Sequence, residues 1–179
     1  MELRVTVAAV PTILVLAAAL TAAVFDVRTR RIPNALVAAL LLAGIAANAL
    51  GGWRPAVADL LIALAVLLAG TFAFSFKLIG GGDVKLLAAA AGTLGYPACV
   101  FFVLCTLLCG GFIALAYAAC RGRLRATFAN VQAMAIPVMA GVKPARPDGT
   151  PMPYALAIFA GALCTALVPA FAPHLRFLP

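Results

Sequence analysis

Charge is what this chain has least of. Of its 179 residues five are acidic and thirteen basic, and Asp, Glu, Lys and Arg together make up 10 % of the sequence. A soluble globular domain carries about 25 % charged residues, so a chain this poor in them cannot cover its surface for water. Histidine occurs once, as His174, and the five cysteines (Cys99, Cys105, Cys109, Cys120 and Cys164) form no Cys-x-x-Cys pair. Zinc needs clustered thiolates or imidazoles. Neither a metal site nor a cofactor is therefore expected, and the thiols read as soft apolar side chains inside hydrophobic runs. The scarcity of acid leaves a formal net charge of +8. The basic residues nevertheless fall in short clusters between apolar runs, the pattern of cytoplasmic membrane loops, and no nucleic-acid partner is expected.

Hydrocarbon fills the chain instead. Hydrophobic residues make up 66 % of it and the mean hydropathy is +1.16, which predicts an all-α integral membrane protein with the lipid bilayer around it. About 20 apolar residues span a bilayer, and runs approaching that length occupy 5–25, 35–50, 60–76, 86–120 and 152–172. The first run follows Glu2 and Arg4 and precedes the stronger basic cluster, the reverse of a secretory signal, so it reads as a membrane helix. The fourth run is too long for one pass. Gly95-Tyr96-Pro97 divides it into a short arm, 84–94, and a full helix, 97–120. At about 1.5 Å per residue the arm reaches only about 16 Å.

About six transmembrane helices follow, with a short fourth arm. This count places Arg28, Arg30, Arg31, Lys77, Lys85, Arg121, Arg123, Arg125, Lys143 and Arg146 on one side and Arg4, Arg54 and Arg176 on the other. So one-sided a distribution assigns the first side to the cytoplasm and both termini to the outside. The stretch 126–142 contains Asn130, Gln132 and Pro137 between basic flanks; it reads as a cytoplasmic interfacial segment within a 121–151 loop. With no internal repeat, residues 1–179 form a single polytopic membrane domain.

Each acidic residue now has an address. Glu2 and Asp59 lie toward the outer side and Asp148 in the basic loop, while Asp26 and Asp83 lie at the cytoplasmic ends of the first and fourth helices. A carboxylate at the edge of hydrocarbon costs a few kcal/mol toward the bilayer centre and is usually kept for a function. Asp26 has a plain explanation as the partner of Arg30 one helical turn on, and Asp83 as a carboxylate favouring a helix N-terminus. Three consecutive glycines, Gly80, Gly81 and Gly82, exceed what such a cap requires. Two neighbouring aspartates that share one proton perform peptide hydrolysis: the ionised member takes a proton from water while the other polarises the scissile carbonyl. Glycines beside one of them let an extended substrate backbone approach. The same pair also suits a proton relay in a small transporter, and a non-catalytic assembly subunit would keep the helices without needing either aspartate.

The stretch DVRTRRIPN beginning at Asp26, followed by GGGDVKLLAA beginning at Gly80, resembles the type IV prepilin peptidases, membrane aspartyl proteases with a G-x-G-D signature. The resemblance returns at Pro153-Tyr154, which is similar to the start of that family's last membrane helix. It implies that Asp26 and Asp83 are the catalytic pair, that Gly80, Gly81 and Gly82 form the signature loop, and that Ile32, Pro33 and Asn34 match the segment after the first aspartate. Ala155 departs from the pattern, since relatives often carry glycine there. Bifunctional relatives precede the first helix with a cytoplasmic domain of paired Cys-x-x-Cys motifs and methylate the product. This chain resembles the small, cleavage-only kind serving tight-adherence (Flp) pili. The resemblance further implies a prepilin or pseudopilin substrate with a short, often basic leader, cut after a glycine with a glutamate a few residues downstream. The site would face the cytoplasm from the bacterial inner membrane, in company with pilus-assembly components and without a cofactor.

Overall fold

Backbone inside hydrocarbon must satisfy its own hydrogen bonds, so apolar runs of this length fold as helices. The computed structural model describes residues 2–50, 52–75, 79–122, 125, 129 and 154–171. These form α1 (Glu2–Thr29), α2 (Asn34–Ala49), α3 (Trp53–Ser75), α4 (Gly81–Leu94), α5 (Ala98–Cys120) and α6 (Ala155–Phe171). All-helical membrane architecture is thus as expected. Three helices contain stretches long and apolar enough to cross a bilayer alone, at Val10–Thr29, Trp53–Ser75 and Ala98–Cys120, while Asn34–Ala49 and Ala155–Leu167 are apolar but shorter. The interfacial segment expected at 126–142 lies, apart from residue 129, outside the described residues, as does Pro153.

Helix ends differ from the apolar runs where polar residues find partners. α3 starts at Trp53, well before its apolar run, because Pro55 is tolerated in a first turn and Asp59 is satisfied. Asn48 Nδ2 donates to Asp59 Oδ2 at 2.7 Å and to the Thr93 carbonyl at 3.1 Å. This cluster ties the end of α2, the first turns of α3 and the end of α4 together. α4 stops beside it at Gly95, whose φ of +66° is left-handed and whose N–H closes the helix onto the Ala91 carbonyl. A Cβ there would also lie 2.8 Å from Asp59 Oδ1, so glycine is required twice over.

The short arm is the centre of the molecule. Its residues Val84 and Leu86 to Thr93 are all buried, and α4 packs on each of the other five described helices. Four successive alanines, 88–91, keep it slim enough for helix backbones to close around it. α3 lies antiparallel to it at near-backbone distance. A Cβ at Gly70 would come within 2.6 Å of Val84, and one at Gly92 within 2.7 Å of the Ala63 Cβ and 2.9 Å of the Asp59 carbonyl. On the other flank α5 and α6 meet through Gly161 against Thr106 and Gly110 against the Tyr154 ring. Ala155 is fully buried in this core, so the residue that departs from the family pattern still packs. Large apolar side chains face outward, among them Leu68, Phe72, Leu108 and Phe112, the arrangement expected when lipid replaces water as solvent.

Candidate active site

Asp26 reaches the site because α1 continues past its apolar run to Thr29. Arg30 then ends the helix with φ +53°, its N–H donating to the Asp26 carbonyl at 2.9 Å. A non-glycine residue in this left-handed region costs on the order of 1–3 kcal/mol and is kept where the surroundings demand it. The turn that follows delivers Ile32, then Pro33, which caps α2 in an extended conformation with ψ 127° and accepts from the Leu36 N–H at 3.1 Å. Asn34 opens α2, and its Oδ1 accepts a hydrogen bond from Lys85 Nζ at 3.2 Å. One α1–α2 turn is thereby fastened to α4 at two points, because Ile32 also packs on Gly82.

The glycines work by absence of side chain, not by unusual backbone. Gly80 caps α4 with φ −71° and ψ 145°, and Gly81 and Gly82 are its first two helical residues, so the expected signature loop is largely the opening turn of a helix. A Cβ at position 80 would lie 2.6 Å from Asp83 Oδ2, which folds back over its own cap, and one at 82 would lie 3.3 Å from Ile32 Cβ. Gly81 faces the ring of Phe74 at the end of α3, where a Cβ would lie 3.4 Å from it. The signature thus gives the Asp83 carboxylate room and lets the Asp26 turn approach it.

Asp26 and Asp83 line one cavity of about 360 Å³, together with Arg30, Arg31, Ile32, Asn34, Gly80, Gly81, Gly82 and Lys85. Asp26 Oδ2 and Asp83 Oδ1 are buried there with no hydrogen-bond partner among the described residues. Buried carboxylate oxygens are ordinarily bonded, and an exception points to a catalytic use or a bound group. Asp83 precedes the apolar arm 84–94, and burial, then the negative charge of Asp26, pushes its carboxyl up to about 7. The helix N-terminus pulls the other way, by up to about 2 kcal/mol at a partly buried site, or about 1.5 pK units, less than the rise from 3.8 to about 7. Burial and like charge win. Tyr154, at the start of α6, lies off this cavity wall, yet its phenol is raised by burial and then by the charge of Asp83, which puts it within electrostatic reach.

Two features escape a linear reading. Lys85 reads in sequence as a topology marker, but it lines the cavity beside both aspartates; its position two residues after Asp83, with Asn34 at the head of α2, was the available signal. Gly110 carries no local signal at all, and it makes room for Tyr154, whose ring a Cβ would meet at 2.9 Å. Among the described residues no group of three or more His, Cys, Asp or Glu side chains is placed to hold a metal ion.

The model of the type IV leader peptidase family matches residues 13–115, more than half of the chain and the whole stretch containing both aspartates. No curated protein and no solved structure gives a match.

Proposed function

This chain belongs to the type IV leader peptidase family and is a membrane peptidase, and on that premise we propose that Asp26 and Asp83 hydrolyse the leader of a prepilin or pseudopilin as an aspartic dyad. The observation that carries the reading is the pair of buried carboxylate oxygens on one cavity that have no hydrogen-bond partner among the described residues. Asp83 holds the shared proton in this reading, since burial and the charge of Asp26 push its carboxyl up to about 7. It donates to the scissile carbonyl oxygen, and Asp26 takes a proton from the attacking water. Water oxygen bonds to the carbonyl carbon to give a tetrahedral diol; the C–N bond then breaks as the proton held by Asp26 passes to the departing amine and Asp83 takes back a proton from a diol hydroxyl. The products are a leader carboxylate and a new amino terminus.

Arg28, Arg30, Arg31, Lys85 and Arg121 gather at this end of the bundle, which supports a cytoplasm-facing site in the bacterial inner membrane. A cut after glycine, as in Flp-type prepilins, suits a cavity whose own glycines leave room beside the carboxylates, and Arg30, Arg31 and Lys85 on its walls would favour the glutamate expected a few residues downstream. Pilus-assembly components are the expected neighbours. Asp26→Asn and Asp83→Asn should each reduce processing of a co-expressed Flp-type prepilin by roughly 10³-fold or more, read as loss of the gel shift, with the variants still in the membrane. Normal cleavage by either variant would falsify the dyad.

A further inference from the structure

A second cavity, of about 370 Å³, lies between α2, α3 and α4, with Asn34 and Lys85 at one end. Those two hydrogen-bonded residues also line the aspartate cavity, so the apolar groove opens directly off the proposed catalytic one. Beyond them its walls are hydrocarbon: Val37, Ala38 and Leu41 on α2, Leu64 and Leu67 on α3. From Asn34 to Leu41 is about 10 Å along the helix, or two turns.

We propose that this groove seats the first two turns of the substrate's apolar helix while its leader crosses the aspartate cavity. The inference rests on the peptidase reading above and adds where the uncut part of the substrate is held. A guest between such walls finds no polar partner for its backbone, so it must arrive with its own hydrogen bonds made, as a helix. At the Asn34–Lys85 neck the lining turns from apolar to charged, and there the guest can leave the helix and present an extended bond to the aspartates. An acyl chain would also fit the apolar walls, with an anionic headgroup beside Arg30, Arg31 and Lys85; lipid adducts are therefore an outcome the test must separate. Ala38 is exposed on the α2 wall, and the buried Ala63, Ala88 and Ala89 lie beneath the groove, so no large side chain stands on its floor and a helix can approach, as small residues allow between membrane helices.

The test uses the full chain in lipid nanodiscs and a synthetic peptide with a short basic leader, a glycine and an apolar helix of about twenty residues. Photo-crosslinking residues are placed, in the Asp83→Asn protein, at Ala38, at Leu64 and at Leu108, which faces outward on α5. Adducts from the first two helical turns of the peptide to positions 38 and 64, and none at 108, are expected. Lipid adducts alone at 38 and 64, or equal peptide adducts at 108, overturn the proposal. In the otherwise native protein, Ala38→Trp and Leu64→Trp should raise KM for this peptide roughly tenfold or more, whereas Leu108→Trp should not. Unchanged KM in properly folded groove variants sinks the docking site and leaves the dyad standing. A native protein that cleaves nothing sinks the peptidase reading, and the crosslinks then still decide the groove.

Discussion

Asp83 keeps its proton to about pH 7 because burial and Asp26 both penalise its charge, and this sets a pH dependence. In the proposed dyad the pair carries, below that value, the proton that would polarise the carbonyl; as pH rises through it, Asp83 ionises and that acid is lost. Cleavage should fall about tenfold per unit above roughly pH 7. A rate that stays level to pH 9, measured with the synthetic peptide, would remove Asp83 as the acid. The same raised value means the folded state binds a proton that the unfolded chain releases near 3.8, so stability contributed through Asp83 is present at low pH and is lost between about 4 and 7. Gly80 is the neighbour that makes this carboxylate position available. Gly80→Ala puts a Cβ 2.6 Å from Asp83 Oδ2 without demanding a forbidden φ, so the carboxylate must swing away. Activity should drop roughly 10²-fold, the order expected for a shift of about 1 Å in a reacting group, while thermal unfolding in detergent changes little. Both aspartates were legible from composition and motif, whereas the reason for each glycine was not, because Ile32 and Phe74 are remote in sequence.

Among the elements, α4 decides where the aspartates sit. Its opening turn carries Asp83 and its closing turn is anchored in the Asn48–Asp59–Thr93 cluster, so the helix is fixed at both ends. Gly92→Val would drive a side chain into the Asp59 carbonyl and Ala63, neither of which can retreat within a helix. Overpacking of this kind typically costs about 1–3 kcal/mol, and the unfolding midpoint in detergent should fall accordingly. Asn48→Ala removes the donor from a buried Asp59 carboxylate and should destabilise by roughly 1–3 kcal/mol. Asp59→Asn keeps a hydrogen-bonding group there and should cost less than Asn48→Ala; equal losses would show that the charge itself matters. The helices were readable from apolar runs, including the break at Gly95. The burial of α4 on all sides was not, since its alanine-rich sequence has no hydrophobic face to announce it.

For the whole molecule, aromatic and basic residues mark two rims. Trp53, with Arg54 stacked over it at 5.7 Å, stands at the start of α3, and Tyr117, with Arg121 at 4.5 Å, stands near the end of α5. Interfacial Trp and Tyr anchor helices at both membrane surfaces. With the five native cysteines replaced, a cysteine at Arg28 should react with impermeant thiol reagents only after the cytoplasmic face is exposed, and one at Trp53 from outside intact cells. The opposite labelling would invert the protein and put the aspartates on the wrong side for a cytoplasmic leader.

The sequence by itself determined the solvent, the helical class and the two aspartates worth asking about, because each follows from local facts: hydropathy over a window, charge between windows, glycines before an acid. Only the tertiary structure decided that Asp26 and Asp83 share a cavity, that Lys85 and Asn34 join it to an apolar groove, and that Asp59 is a structural anchor at the other end. Those are distances between residues far apart in the chain, and they depend on how closely small side chains let the helices around α4 approach.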